Sequence, residues 1–273
     1  MSTTEAHAKI NLGLVVGPVR PDGKHEVVTV LHRVRVADTI ALEPCVEPGI
    51  RVHGFDDTIV HDALTALADA TGGERGWRVR IDKRIPVAAG LGGGSSDAAA
   101  ALRLANALSG DPLSAERLHD IAAAIGADVP FFLREGAQLA TGDGSELAAV
   151  VAPDDVPVVL VLPDGESKQS TAAVYRRFDE RSAANGFAAR RDAMLSTLTG
   201  KLTAADVAAL PRNDLVSSPL AAALERLGAF RADVSGAGPI VYGLFEDERA
   251  ARCAEQELRA HGRTWLTTTT DGA

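Results

Sequence analysis

The chain of 273 residues is 46% hydrophobic and 24% charged, and its formal net charge is −9. That hydrophobic share is typical of a globular protein in water, and the negative charge argues against nucleic acid or an anionic membrane surface as the main partner. Cys45 and Cys253 are far apart and belong to no Cys-x-x-Cys pair, which argues against a disulfide framework or a zinc site. The longest strongly apolar run, Val156–Leu162, is too short to span a bilayer, and the first residues lack a signal-peptide pattern, so we expect a cytoplasmic protein.

The first half of the chain predicts strands and helices that together form an α+β unit. Over residues 6–16 apolar and polar residues alternate, which predicts a strand with Lys9 and Asn11 on the same face. A turn at 18–25, with two prolines and Asp-Gly, follows this strand. The further predicted elements are a strand at 27–42 that bends near 37–38, a helix at 58–70, a strand at 77–81, helices at 95–108 and 114–124, and two short strands within 136–151.

A Pro/Asp cluster at 153–157 is the expected boundary between two domains, 1–152 and 153–273. Two modest domains of this size can share a cleft between them. The predicted elements of the second domain are a buried strand at 158–162, helices at 171–181 and 190–198, a helix after 211–215, a hairpin with a glycine turn over 232–245, a helix at 247–261 and a strand at 264–268.

One stretch between a predicted strand and a predicted helix is rich in glycine: Pro86-Val87-Ala88-Ala89-Gly90-Leu91-Gly92-Gly93-Gly94-Ser95-Ser96, followed by Asp97. A helix N-terminus behind such a loop offers unpaired N–H groups and the positive end of the helix dipole, which favours phosphate. We expect Ser95 or Ser96 to be the N-cap, with Asp97 in the first turn. The stretch matches neither the Walker pattern nor the dinucleotide fingerprint. A glycine-rich turn that only caps a helix is the alternative, but the whole stretch favours a nucleotide phosphate cradle.

Three segments resemble, in this order along the chain, the three motifs of the GHMP kinase superfamily: Lys9–Leu12, Pro86–Ser96 and Val234–Gly238. Further segments, at 22–26, 83–86, 126–131 and 213–215, resemble the superfamily members that act on a cytidine diphosphate-linked methylerythritol in the non-mevalonate isoprenoid pathway. The resemblance extends from residue 6 to residue 246. It implies a two-domain α+β GHMP kinase fold, with an N-terminal ribosomal-protein-S5-like domain, a C-terminal ferredoxin-like α/β sandwich, and the active site in the cleft between them.

The resemblance also implies a reaction, the transfer of the γ-phosphoryl group of ATP to a hydroxyl of a small molecule, with Mg²⁺ as the accompanying ion. Pro86–Ser96 would wrap the ATP phosphates, and Ser95 or Ser96 would contact a phosphate or Mg²⁺. Asp128 would accept the proton of the acceptor hydroxyl, while Lys9 would keep Asp128 ionised and stabilise charge on the transferred group. The alternatives are a helix cap for Asp128 and a solvated strand lysine for Lys9.

On the acceptor side, the resemblance assigns four substrate-binding residues. Asn11 would orient the acceptor, His25 would read the cytosine edge and Tyr175 would stack on the base. Gly236 would belong to a second backbone lining of the site. The alternatives are turn roles for His25 and Gly236, and core packing for Tyr175. The expected partners are ATP and the small-molecule substrate, without nucleic acid or membrane, and the expected state is a monomer or homodimer.

Two residues depart from the pattern of the superfamily members that use the cytidine substrate. Lys24 stands where they have a tyrosine that stacks against cytosine, and Thr58 stands where they have an asparagine before the first helix. Both changes fall on the acceptor side, so a related kinase with a different acceptor and a non-catalytic ligand-binding member stay open as alternatives. Lys83 and Arg84 also keep two interpretations, as ATP contacts or as a solvated basic pair.

Overall fold

The structure, a computed structural model, describes residues 1–55, 58–73, 76–110, 113–165 and 170–272, and these ranges contain ten strands and nine α-helices. The strands are β1 (Ser2–Val19), β2 (His25–Cys45), β3 (Ile50–His53), β4 (Gly76–Asp82), β5 (Ala137–Thr141), β6 (Glu146–Val150), β7 (Pro157–Pro163), β8 (Arg231–Val234), β9 (Val241–Leu244) and β10 (Gly262–Thr270). The helices are α1 (Thr58–Thr71), α2 (Gly93–Leu108), α3 (Ala115–Ile125), α4 (Val129–Phe132), α5 (Thr171–Glu180), α6 (Phe187–Thr197), α7 (Ala204–Ala209), α8 (Pro219–Arg226) and α9 (Glu248–Leu258). None of the helices within the described ranges has the length and apolar character needed to cross a bilayer.

The first half of the fold is built on a long antiparallel hairpin of β1 and β2. Lys9 on β1 lies directly opposite Arg33 on β2, so the two side chains project from the same face. The pairing register of the two strands shifts between His7, which pairs with Ala37, and Ala8, which pairs with Val34. This irregularity lies next to the bend expected at 37–38. The strand β4 pairs with the far end of β2, β3 lies parallel to β4, and β5 links β2 to β6.

The core packed against α2 combines a run of alanines with larger side chains such as Trp77 and Phe131. In α2 the four consecutive residues Ala98–Ala101 are all buried, together with Leu102. They belong to one core cluster with apolar residues of α1, β2 and β4. Because alanine has almost no side chain, α2 can lie close to the sheet along its whole length, and its N-terminus is fixed with it.

The start of α2 differs from the expected one. The helix begins at Gly93, and Gly92, with a φ of 69°, occupies the N-cap position without a side-chain capping bond. The backbone oxygen of Gly92 accepts a hydrogen bond from the N–H of Ser96 at 2.9 Å. The prediction of Ser95 or Ser96 as N-cap, with Asp97 in the first turn, was therefore wrong. Glycine adopts the left-handed conformation without strain, so the helix starts earlier than the serines suggest.

The second half of the fold is a four-stranded antiparallel sheet in the order β10-β7-β9-β8. Its strands and helices follow one another as strand, helices, strand, strand, helix, strand, which is the ferredoxin-like arrangement that the resemblance implies. The end of β10 also pairs with β2, where Thr269 lies opposite Val34. The hydrogen-bonded strands thus continue across the predicted boundary at 153–157, and the division into domains 1–152 and 153–273 stays a prediction.

Candidate active site

The two residues predicted to act together, Lys9 and Asp128, lie side by side in the structure. Lys9 Nζ is 3.5 Å from Asp128 Oδ2, and it donates a hydrogen bond of 2.7 Å to Asn11 Oδ1. Asn11 is held in turn by its own Nδ2, which donates to Thr29 Oγ1 at 2.9 Å. The shared face predicted from strand alternation is thereby confirmed for Lys9 and Asn11. The ammonium sits at the centre of a fixed set of polar groups, next to a carboxylate.

Asp128 occupies the N-cap position of α4, a helix of only four residues with Pro130 in its first turn. In the described structure the Asp128 carboxylate makes no capping hydrogen bond to α4. Its side chain is 40% exposed, and the residue lines the cleft described below. The carboxylate therefore does not act as the helix cap that was the alternative interpretation, and it is accessible to a ligand.

The glycine loop, defined here as Pro86–Ser95, lines a cleft of about 580 Å³. Three consecutive carbonyl groups of the loop are engaged by protein donors. The N–H of Ile240 donates to Ala89 O at 3.1 Å, Ser235 Oγ donates to Gly90 O at 2.9 Å, and the N–H of Lys9 donates to Leu91 O at 2.9 Å. Both halves of the fold thus hold the loop. The hydrogen bond from the Lys9 N–H also attaches the loop to β1, the strand that carries Lys9.

The close approach of the β8–β9 turn requires glycine at position 90. A Cβ atom there would lie 2.2 Å from the backbone oxygen of Ser235, and Gly90 also has a φ of 86°. The two predicted serines differ in their surroundings: Ser95 lines the cleft, whereas Ser96 is 3% exposed and points into the protein. Of the two, Ser95 is the residue whose position suits contact with a phosphate or a metal ion.

Lys83 is engaged inside the protein and is not part of a solvated basic pair. Its Nζ lies 2.5 Å from Asp38 Oδ2 and 2.8 Å from Asp97 Oδ2. Burial by itself lowers the pKa of the Lys83 ammonium, but the two carboxylates outweigh it and the pKa is raised. Asp38 Oδ1 also accepts the N–H groups of Arg84 and Ile85, at 2.5 and 2.8 Å. This network fixes the chain that enters the glycine loop, and Lys83 also lines the cleft.

The residues predicted to bind the acceptor do not all reach the cleft. Tyr175 and Gly236 are among the described residues that line the cleft, whereas His25 is not. The His25 ring packs behind Tyr175, with the ring centroids 4.8 Å apart, and its Nε2 is 2.8 Å from Asp179 Oδ1. Burial raises the pKa of the Tyr175 hydroxyl to about 12, with a smaller contribution from Asp128. Tyr175 is therefore a neutral aromatic surface at the cleft, supported from behind by His25.

Lys24, one of the two residues that depart from the expected pattern, forms an ion pair at the edge of the cleft. Its Nζ is 2.5 Å from Asp143 Oδ2, and Asp143 lines the cleft. Burial by itself raises the pKa of Asp143, but hydrogen bonds from Lys24 and Ser145 bring it down to about 2. The pair joins the β1–β2 turn to the β5–β6 turn. Thr58 begins α1, and its side chain lies outside the described part of the structure.

Within the described ranges, one group of side chains has the spacing of metal ligands: His32, Asp154 and Asp271, with donor atoms within 4.8 Å of one another. His32 Nε2 already lies 3.0 Å from the backbone oxygen of Pro153, and the two carboxylates are exposed. None of the three residues is among those that line the cleft. This group is separate from the site around Lys9 and Asp128.

Sequence analysis assigned no side-chain positioning role to several residues that hold the site in place: Thr29, Asp38, Asp97, Asp143, Asn213 and Ser235. Asn213 Nδ2 donates to Gly236 O at 2.7 Å and so fixes the turn that lines the cleft. The Asn-Asp-Leu segment at 213–215 gave a signal for Asn213, and the Ser-Gly-Ala-Gly turn gave one for Ser235. The other four make contacts over long sequence separations, for which a single sequence carries no signal.

Comparison with known proteins assigns the chain to a family. The family model described as "GHMP kinases N terminal domain" matches residues 58–136, and "GHMP kinases C terminal" matches residues 211–264. The 4-diphosphocytidyl-2-C-methyl-D-erythritol kinase of Desulfitobacterium hafniense (strain Y51) is 33% identical over 279 residues, covering 97% of this chain and 94% of the relative. The protein of the same description from Geobacter sp. (strain M21) is 39% identical, covering 93% and 92%.

Two solved structures are similar over nearly the whole chain. A crystal structure of 4-(cytidine 5'-diphospho)-2C-methyl-D-erythritol kinase covers 99% of this chain and 100% of its own, with 32% identity and a TM-score of 0.78. A crystal structure of mevalonate kinase has a TM-score of 0.76 at 14% identity, covers 99% of this chain and 100% of its own, and shares the fold. The chain therefore belongs to the GHMP kinase family, in the branch formed by the 4-diphosphocytidyl-2-C-methyl-D-erythritol kinases.

Proposed function

We propose that the chain transfers the γ-phosphoryl group of ATP to the 2-hydroxyl of 4-diphosphocytidyl-2-C-methyl-D-erythritol, giving the 2-phosphate and ADP in the non-mevalonate isoprenoid pathway. The relatives that cover more than nine-tenths of the chain carry the name of this kinase. The single observation that carries the proposal is the ion pair of Lys9 and Asp128 in the same cleft as the glycine loop. A phosphate site alone could serve a binding protein, but the adjacent exposed carboxylate also supplies a base for proton transfer.

The glycine loop and the N-terminus of α2 supply the binding site for the ATP phosphates. The carbonyl groups of Ala89, Gly90 and Leu91 are already bonded to protein donors. The positive end of the α2 dipole favours a polyanion at this place. Phosphoryl transfer requires the protein mainly to position the reactants and to stabilise charge. A loop that is held by both halves of the fold can keep the phosphates in a fixed position.

Asp128 and Lys9 then act on the acceptor hydroxyl. The exposed Asp128 carboxylate accepts the hydroxyl proton as the oxygen attacks the terminal phosphorus atom. Lys9, buried and fixed by Asn11, lies beside the Asp128 carboxylate and stabilises negative charge on the transferred phosphoryl group. Its fixed position means that the stabilising charge does not need to reorganise during the reaction.

The site fits Mg²⁺, which prefers oxygen ligands and in nucleotide sites takes several of them from phosphates and water. The Ser95 hydroxyl lines the cleft at the mouth of α2, and the Asp128 carboxylate is exposed to the same space. The Ser95 hydroxyl would hold the ion together with ATP, and the Asp128 carboxylate stays available to the acceptor hydroxyl. When bound, Mg²⁺ neutralises part of the phosphate charge.

The acceptor site is the region around Tyr175, Gly236 and the Lys24–Asp143 ion pair. Tyr175 offers a neutral ring on which a cytosine can stack, and His25 supports that ring instead of facing the cleft. One chain supplies the glycine loop, the Lys9–Asp128 pair and Tyr175, which supports an active site formed within a single subunit. We infer a cytoplasmic enzyme, because ATP is the phosphoryl donor.

The position of phosphorylation provides a sharp test. The name of the acceptor places a methyl group on C2, so the 2-hydroxyl is tertiary and its phosphate has no hydrogen on the attached carbon. A proton-coupled ³¹P NMR spectrum of the product should therefore show the new phosphomonoester as a singlet. A doublet would indicate a secondary hydroxyl and a triplet a primary one, and either result would contradict the proposal.

A further inference from the structure

A second buried cation lies on the same sheet face as Lys9. Arg33 on β2 is the direct register partner of Lys9 on β1, and it is 1% exposed. Its guanidinium lies against α4, the helix that follows Asp128, and stacks over the Phe131 ring at 4.6 Å from the ring centroid. Lys9 and Arg33, which are neighbours across two paired strands, therefore both lie against α4.

The contacts of Arg33 are concentrated at the C-terminal end of α4. Its Nη2 donates to Phe131 O at 3.0 Å and also to Arg134 O, and its Nη1 donates to Gly136 O at 3.3 Å. All of these acceptors in the described chain are neutral carbonyl oxygens. A cation at the carbonyl end of a helix satisfies groups that have no partner within the helix. Burial and the nearby Arg103 lower the pKa of Arg33 to about 10, so the group stays charged at neutral pH.

A helix of four residues has little stability of its own, since helix formation is cooperative and needs several turns. The position of α4 thus depends on its tertiary contacts, namely the packing of its buried side chains in the core and the groups that hold its two ends. Lys9 meets its N-terminal end through Asp128. At its C-terminal end Arg33 bonds to the carbonyl groups of Phe131, Arg134 and Gly136, and within the described chain Arg103 bonds to Phe132 O alone, at 3.2 Å.

Phe132 of α4 also contacts the glycine loop, because a Cβ at Gly92 would lie 3.0 Å from the Phe132 ring. A shift of α4 would therefore move the carboxylate, whereas the loop keeps the hydrogen bonds that Ile240, Ser235 and Lys9 donate to its carbonyl groups.

We propose that Arg33 is a positioning residue for the reaction: by fixing the C-terminal end of α4, it holds the Asp128 carboxylate opposite Lys9. This inference rests on the proposed function, in which Asp128 is the base. Arg33 does not touch the substrate in this scheme and acts only through α4. Its loss should therefore slow turnover and leave ATP binding intact.

The test compares two variants of Arg33 with a control of similar structural severity. Arg33→Met keeps the length and the packing against the aromatic rings but removes all donors, and Arg33→Lys keeps the charge with fewer donors. Leu258→Ala is the control, because Leu258 is equally buried but belongs to the core under α9 in the second half of the fold. For each protein we would measure kcat, the acceptor KM, the ATP dissociation constant, the thermal midpoint and amide hydrogen exchange over residues 126–136.

We expect kcat of Arg33→Met to fall about 100-fold, the size of loss that a misplaced reacting group causes, with an unchanged ATP dissociation constant. Arg33→Lys should recover part of kcat, and residues 126–136 should exchange faster in Arg33→Met but not in Leu258→Ala. The proposal is overturned if exchange over 126–136 is unchanged in Arg33→Met, or if Leu258→Ala loses as much kcat. Should the unmodified protein show no turnover of the acceptor, the proposed function fails, and hydrogen exchange still decides whether Arg33 holds α4.

Discussion

The ammonium of Lys9 and the carboxylate of Asp128 lie 3.5 Å apart but differ in exposure: 4% of the Lys9 side chain is accessible, against 40% of the Asp128 side chain. The cation is fixed inside the protein by Asn11, while the carboxylate faces the cleft. A base must reach its substrate, whereas a charge that stabilises a transition state gains from being held in place. The unequal exposure of the pair matches these two tasks.

Replacement of Asp128 by Asn should abolish turnover and leave ATP binding near normal. Asparagine keeps the shape of the side chain but cannot accept the hydroxyl proton, and loss of a general base costs about 10²- to 10⁴-fold in rate. The measurements are kcat by ADP release and the ATP dissociation constant by calorimetry. Asp120→Asn is the matched control, because Asp120 is an exposed carboxylate on α3. Retention of most of the activity in Asp128→Asn would show that Asp128 is not the base.

Replacement of Gly90 by Ala should weaken ATP binding. The added Cβ would lie 2.2 Å from the backbone oxygen of Ser235, so the loop must separate from the β8–β9 turn. Gly72→Ala is the control, because Gly72 also has a positive φ but no atom of the described residues lies within 4 Å of its Cβ position. That variant carries the conformational strain, about 1 kcal/mol, without the clash. Equal ATP affinities in the two variants would contradict the contact between the loop and the turn.

The strands and the shared face of Lys9 and Asn11 were predictable because side chains alternate along a strand with a period of two. The helix α2 was predictable from its alanine run, but its start was not, since a left-handed Gly92 replaces the expected serine cap. The helix α4 was missed because four residues containing Pro130 are too short to show helical periodicity. Local sequence patterns thus predict where a long helix or strand lies, whereas the residues at which it begins and ends depend on tertiary contacts.

The candidate site, too, was predictable only where its residues belong to local sequence motifs. The glycine loop, Lys9 and Asp128 were found because they belong to compact motifs, and the structure brings them into one cleft. Neither the pairing of Lys24 with Asp143 nor that of Lys83 with Asp38 could be predicted, because the partners are 119 and 45 residues apart. The basic pair considered for Lys83 and Arg84 does not form, since Lys83 turns inward while Arg84 stays exposed beside Asp82.

Replacement of Lys24 by Met should raise the KM for the acceptor and change the KM for ATP much less. Asp143 lines the cleft, so in the proposed acceptor site the loss of the ammonium would leave its carboxylate as a like charge near the diphosphate of the acceptor. A cost of about 1.4 kcal/mol corresponds to a tenfold higher KM. The double variant Lys24→Met/Asp143→Asn removes both charges and should recover much of the affinity. An unchanged acceptor KM in Lys24→Met would place the acceptor elsewhere.

The Asp143 ion pair should also produce a pH-dependent part of the free energy of unfolding. The folded-state pKa of Asp143, about 2, lies below its ordinary value of 3.8. The pair therefore stabilises the fold above the ordinary pKa, and this contribution is lost as the pH falls through the folded-state value. Because Lys24 is more than half exposed, screening limits the contribution to about 1 kcal/mol.

Urea unfolding of the unmodified protein and of Asp143→Asn over this pH range measures the effect. The unmodified protein should be more stable than the variant near neutral pH, and the difference should vanish as the pH approaches 2. A difference that is constant with pH would mean that the carboxylate of Asp143 is not stabilised by its ion pair.

The central claim, an ATP-dependent kinase of the diphosphocytidyl acceptor, is tested most directly by ADP release. The purified chain is assayed with ATP, Mg²⁺ and 4-diphosphocytidyl-2-C-methyl-D-erythritol, with homoserine and phosphomevalonate as alternative acceptors. We predict turnover with the diphosphocytidyl acceptor alone. Turnover only with another acceptor, or binding of the diphosphocytidyl compound without ADP release, would contradict the account.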